Sequence, residues 1–109
     1  MLKWVEGRQN SGYWKMVLLF SKRLQMDIHL LKFEKGVKVP WHKDPAKTGR
    51  HFRLNIYLNR PGGGDLKLRG KAIFNNRLFH LFRPDVVEHS MTAVEGGTLY
   101  MLSIGKVLK

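Results

Sequence analysis

Two histidines and one aspartate in this 109-residue chain are placed so that they could share one metal ion. His42 and Asp44 stand two residues apart in the run His42-Lys43-Asp44, directly after the strand-like Val37-Lys38-Val39-Pro40-Trp41. In extended chain, residues at i and i+2 project to the same side, so an imidazole and a carboxylate can meet one ion. The third candidate is His89, which closes Arg83-Pro84-Asp85-Val86-Val87-Glu88-His89 just ahead of another β-type run. Two imidazoles and one carboxylate on one face of an octahedral ion leave three positions open, the arrangement that non-haem iron(II) uses to hold a bidentate co-substrate and dioxygen. A structural zinc site instead closes four positions with protein ligands. The chain has no cysteine, which excludes disulfides and thiolate sites and leaves His, Asp and Glu as the only metal donors. A His-x-Asp on a surface loop has the same spacing, and spacing alone does not separate the two.

The elements that must position these residues read as short strands. β-type patterning runs over Tyr13 to Phe20, Met26 to Phe33, Val37 to Trp41, Phe52 to Leu58, Asp65 to Leu68, Arg77 to Phe82, Ser90 to Val94 and Thr98 to Ile104. The turns between them carry Glu34-Lys35-Gly36, Arg60-Pro61-Gly62-Gly63-Gly64 and Glu95-Gly96-Gly97, which supply the positive φ angles of tight connections. Gly62 to Gly64 lacks the Lys-Ser/Thr and following helix of a phosphate-binding P-loop. A helix is expected only near the N-terminus or around Ser21 to Gln25. The expectation is a mainly β fold, a sandwich or barrel with little helix near the N-terminus, occupying residues 1–109 as one domain, since no repeat or linker divides the chain. In Phe52-Arg53-Leu54-Asn55-Ile56-Tyr57-Leu58, alternation puts Arg53, Asn55 and Tyr57 on one face and the apolar residues on the other. The polar face either meets solvent or lines a pocket.

Composition sets outer limits. Hydrophobic residues make up 43% of the chain against 26% charged, which excludes a disordered composition. The longest apolar run, around Met16 to Phe20, is far below the roughly 20 residues that span a bilayer. Met1 to Arg8 lacks a signal-peptide apolar core, so a cytoplasmic protein without membrane association is expected. Lys and Arg number 20 against 8 acidic residues, a net charge of +12 spread along the whole chain, and such a surface attracts polyanions through counterion release. A nucleic acid or another polyanionic or protein substrate is therefore an expected partner.

From Leu30 to Ile104 the sequence resembles the 2-oxoglutarate and iron(II)-dependent dioxygenases, in particular their prolyl-hydroxylase-like and aspartyl/asparaginyl-hydroxylase-like branches. Leu30-Leu31-Lys32-Phe33-Glu34-Lys35-Gly36 looks like the strand and turn before the metal loop, and His42-Lys43-Asp44 like the family His-x-Asp. Arg53-Leu54-Asn55-Ile56-Tyr57-Leu58-Asn59 is similar to the strand ending in Tyr-Leu-Asn, and Gly62-Gly63-Gly64-Asp65-Leu66 to the Gly-rich segment after it. Leu81-Phe82-Arg83-Pro84 then precedes His89, and Val94-Glu95-Gly96-Gly97-Thr98 matches the turn into the last strand. The resemblance implies a double-stranded β-helix, a cupin-like jelly roll whose mouth holds Fe(II) on His42, Asp44 and His89. It also implies 2-oxoglutarate and O2 as co-substrates, with oxidative decarboxylation to succinate driving hydroxylation of a protein side chain or a nucleic acid.

The sequence departs from the family pattern where an Arg or Lys beyond the second His anchors the distal carboxylate of 2-oxoglutarate, because Thr98 and Leu99 stand there. Arg53 is the candidate replacement, sharing a face with Tyr57 and Asn55, with Thr98 and Ser103 as hydroxyl donors. His29, His51 and His80 have no partner at ligand spacing and read as ordinary strand or surface residues, and Trp41 as packing beneath the metal loop. Two other classes remain open: a metal-binding cupin-like protein that does not use 2-oxoglutarate, and a non-catalytic basic β-barrel module that binds nucleic acid. With little chain left for supporting helices, a homo-oligomer that covers an exposed sheet is a further expectation.

Overall fold

Ten strands form among the described residues: β1 (Val5–Glu6), β2 (Trp14–Ser21), β3 (Met26–Phe33), β4 (Val39–His42), β5 (Arg50–Tyr57), β6 (Leu66–Arg69), β7 (Phe74–Asn75), β8 (Phe79–Phe82), β9 (Glu88–Met91) and β10 (Leu99–Leu108). The structure is a computed structural model and describes residues 3–6, 13–44 and 49–108. No helix forms among the described residues. Ser21 to Gln25 is a turn between β2 and β3 in which Gln25 takes φ 50°, so the helix expected there is replaced by a hairpin connection. Near the N-terminus, Val5–Glu6 pairs with β2, and residues 1–2 and 7–12 lie outside the described residues.

All pairings are antiparallel. One sheet has seven strands in the order β1-β2-β3-β10-β5-β8-β7, and the other three in the order β4-β9-β6. The non-consecutive neighbours β3-β10-β5 and β4-β9-β6 are the crossovers of a double-stranded β-helix, the jelly roll that the family resemblance implied.

The core between the sheets is small. Phe33, Tyr57, Met91, Val94, Leu99 and Met101 form it, and Leu99, the last residue of the expected co-substrate position, is fully buried there. The Tyr57 hydroxyl donates to the Gly64 carbonyl at 2.7 Å and accepts from the Leu66 amide at 3.0 Å, tying the Gly-rich loop to β5. Gly63 has φ 69°, and a Cβ there would lie 2.2 Å from the Ala93 carbonyl oxygen, so only glycine lets this loop close on the segment before β10.

Candidate metal centre

His42 and His89 are direct cross-strand partners in the three-stranded sheet. Their rings lie 4.2 Å apart at 56°. A register shift makes this possible: Val39 pairs with Met91 and His42 with His89, so three steps on β4 oppose two on β9. That extra residue is a β-bulge, and it turns both Val39 and His42 into the cavity where strict alternation would send one of them out. Pro40 sits in the bulged strand without cost to the ladder because β4 is an edge strand. Trp41 points outward, 40% exposed, with the Arg69 guanidinium 4.2 Å above its ring, so it does not pack beneath the metal loop as the sequence suggested. His89 lies inside β9, one residue after its start, where the sequence placed it ahead of the strand.

Asp44 follows β4 by two residues, and its amide donates to the Pro84 carbonyl at 2.8 Å, docking the loop against the segment that leads into β9. Each histidine is oriented from behind. Nδ1 of His42 is 2.8 Å from the Pro40 carbonyl and Nδ1 of His89 is 3.0 Å from the Val87 carbonyl. A carbonyl only accepts, so each Nδ1 donates backward and each Nε2 is the ring nitrogen turned to the cavity. Both face one carboxylate: His42 Nε2 is 3.6 Å from Asp44 Oδ1, and His89 Nε2 is 3.3 Å from Asp44 Oδ2. Donors held at about 2.1 Å around one ion are about 3.0–3.4 Å apart, so the three groups stand near metal-binding separation. Their ligand atoms all lie within 4.8 Å of one another, and no other such group of three occurs among the described residues. The donor set fits a divalent transition metal, and the Phe82 ring, its centroid 5.1 Å from that of His89, packs against that ligand at 64°.

A cavity of about 250 Å³ opens in front of these ligands. The seven-stranded sheet contributes Lys15, Asp27, His29, His51, Arg53 and Asn55 to its lining. Arg53 therefore lines a pocket, and it is already engaged: its guanidinium donates to Asp27 at 2.9 and 3.2 Å and to the Ser103 hydroxyl at 2.8 Å. Ser103 in turn donates to Asn55 at 2.6 Å. Gly105 makes the ion pair possible. Asp27, Gly105 and Arg53 are in register across β3, β10 and β5, and a Cβ at Gly105 would lie 2.2 Å from the guanidinium, so the side chain crosses β10 only because this position is bare. Arg53 also approaches Nε2 of His51 at 3.4 Å. Burial, then the neighbouring Arg53 charge, hold His51 below the ordinary histidine range against the upward pull of a bond to the Asp44 backbone, and a neutral ring can accept from the guanidinium.

The structure thus brings His42, Asp44, His89, Arg53, Asn55 and Ser103 around one cavity. Tyr57 and Thr98 do not line it: the Tyr57 hydroxyl is spent on the backbone of Gly64 and Leu66, and the Thr98 carbonyl accepts from Asn59 at 2.8 Å. The residues that sequence reasoning passed over are Asp27, His29, His51 and Lys15. For the first two a signal existed, because Asp27, His29, Leu31 and Phe33 alternate onto one face of β3, as Arg53 and Asn55 do on β5. His80, read as ordinary, is buried with its ring edge-on to Tyr57 at 5.4 Å.

No family model and no curated protein matches the chain. Solved structures do. An RmlC-like cupin from Shewanella frigidimarina is 15% identical with a TM-score of 0.66, over 99% of this chain and 86% of its own. KdgF from a Halomonas species is 13% identical with a TM-score of 0.66, over 98% and 87%. A predicted oxalate decarboxylase from Thermotoga maritima is 18% identical with a TM-score of 0.65, over 88% and 81%. At such identities the likeness shows the fold, which is the cupin form of the double-stranded β-helix, a framework that 2-oxoglutarate oxygenases share.

Proposed function

We propose that the chain is a metal-dependent cupin-like protein that holds one divalent transition-metal ion on His42, Asp44 and His89 and offers its open positions to a small polar ligand in the adjoining cavity. The observation that carries this reading is the pair of Nε2 atoms turned onto one carboxylate by the carbonyls of Pro40 and Val87. A bound ion supplies Lewis acidity, and as iron(II) it would add redox chemistry with O2. The chain's own contribution is orientation of the ligands, the Phe82 ring packed against His89 and a polar lining from the larger sheet. Enzymatic turnover of the ligand is part of this reading, supported by cupin-fold neighbours described as KdgF and as a predicted oxalate decarboxylase.

The finer reading is an Fe(II)- and 2-oxoglutarate-dependent oxygenase. Arg53 in the cavity wall supports it, since a guanidinium is the group that would meet a distal carboxylate. In that case the co-substrate must share or displace the Asp27 partner. Calorimetric titration with Fe(II), Mn(II) and Zn(II) under argon tests the first reading: one equivalent binds, His89→Ala lowers the affinity at least 10-fold, and His80→Gln leaves it unchanged. Absence of binding, or equal binding by His89→Ala, overturns it. Anaerobic Fe(II) with 2-oxoglutarate then tests the finer one, through a visible charge-transfer band and O2-dependent release of succinate. Metal binding without either leaves a cupin-like protein that uses another ligand.

A further inference from the structure

The outer face of the seven-stranded sheet is apolar across six strands. Strand register sets its side chains in two adjacent rows. In one, Met16 meets Leu30, Leu30 meets Leu102, Leu102 meets Ile56 and Ile56 meets Phe79. In the other, Leu19 meets Ile28, Ile28 meets Ile104, Ile104 meets Leu54, Leu54 meets Leu81 and Leu81 meets Phe74. These positions alternate with the residues that line the cavity, so they point away from it. Leu19, Phe74 and Phe79 are 43%, 52% and 38% exposed. No charged or polar residue interrupts either row. Charges stand only at the margins, with Lys32 between Trp14 and Tyr100 on one side. On the other side lie Lys106, paired with Phe52, and the guanidiniums of Arg50 and Arg83, 6.0 and 5.7 Å from the Phe52 ring.

We infer that this face is the interface of a homodimer in which two copies stack sheet against sheet. Three observations select a second copy as the occupant. The molecule is a slab of 39 × 37 × 23 Å, so the face is broad and open. The two apolar rows, on strands spaced about 4.8 Å apart, cover roughly 400 Å², and the two flanking rows that carry Lys32 and Lys106 bring the face to roughly 750 Å². That is close to the ~800 Å² per partner of a stable interface. The apolar rows are uncharged from end to end and therefore complementary to themselves, with charge confined to a rim, the anatomy of a protein interface. Finally, β10 is central, with β3 and β2 on one side and β5 and β8 on the other. A two-fold axis near Leu102 and Ile104 lays the aliphatic half of each sheet on the aromatic-bearing half of its partner, which closes the assembly at two copies. The basic rims repel one another, so the dimer tightens as salt rises, opposite to what binding of a nucleic acid or an anionic membrane would do.

Sedimentation of the full chain tests this. At tens of micromolar and moderate salt the expected mass is twice 12.7 kDa, and Leu102→Lys brings it down to the monomer. The lysine variant must keep its β-type circular dichroism. Because the chain has no cysteine, Ile104→Cys gives an independent reading that does not depend on weakening the fold: mild oxidation should link two copies through residue 104 in high yield. A wild-type monomer at ~100 µM in 0.5 M salt overturns the inference, whether or not that monomer binds anionic vesicles. So does a dimer that survives Leu102→Lys unchanged and does not cross-link at 104.

Discussion

The two faces of β3, β10 and β5 are opposite in character, and they are inverted relative to an ordinary antiparallel sheet. The side turned into the molecule carries Asp27, His29, Ser103, Arg53 and Asn55, all lining the cavity. The side turned out carries Ile28, Leu30, Leu102, Ile104, Leu54 and Ile56. A half-solvated sheet normally buries its apolar side and wets its polar one. Among the described residues no buried side-chain N or O lacks a partner. Desolvated polar groups seldom add stability over an apolar core, so the inner face holds the fold together less than an apolar face of the same size would. Only the end of the sheet near Phe33, Tyr57, Leu99 and Met101 is a conventional core.

The sharpest way to break this contrast is to truncate one leucine on each face of β10. Leu99 has no exposed surface, and Leu99→Ala should cost about 3–5 kcal/mol in urea unfolding through lost transfer energy and a cavity. Leu102→Ala, on the half-open outer face, should cost only about 1 kcal/mol at sub-micromolar protein. Its cost should grow as protein concentration rises, because association protects the folded state. Equal losses at all concentrations would mean that the outer face is already covered within one chain. Next in size is the inner ion pair. Asp27→Leu leaves a half-buried guanidinium without its carboxylate and should destabilise by about 2–4 kcal/mol. Adding Arg53→Met should recover most of that loss, giving a coupling of opposite sign to the single effects in a double-mutant cycle. If both single variants unfold like the parent, the pair is solvated and the inner face is not the desolvated surface described above.

Alternation made much of this legible in advance. Strand positions and the shared face of Arg53 and Asn55 follow from local patterns of period two, while the three candidate metal ligands needed the family resemblance beside residue chemistry. What local patterns do not carry is register between strands far apart in the chain. The bulge between Val39 and His42 is visible only once β4 is laid on β9. The Asp27–Arg53 pair needs β10 between β3 and β5 with a glycine at residue 105, three segments separated by 26 and 52 positions. Tyr57 shares the expected face with Arg53, yet sits where the Gly-rich loop folds over it, so its hydroxyl meets backbone instead of cavity. The outer face was read correctly as apolar in β5, but its extent depends on five pairings that no single strand reveals.

The smallest effect separates the faces by acid. His80, opposite Asn55 on β8, is an inward titratable group of the sheet that does not line the cavity. Burial, then the Arg60 charge, hold it below the ordinary histidine range, with Asp65 pulling weakly upward. An unfolded histidine titrates near 6.5. Between that value and the lower folded one, the unfolded chain binds the proton and the folded chain does not, so unfolding takes up protons and stability falls as pH drops. His51 adds a shift of the same sign. Metal-free protein should therefore lose stability between pH 7.5 and 5.5, read from thermal midpoints, and His80→Gln should flatten part of that slope while Leu102→Ala shifts the whole curve without changing it. A His80→Gln slope identical to the parent would place the acid sensitivity elsewhere and remove His80 from the desolvated inner face.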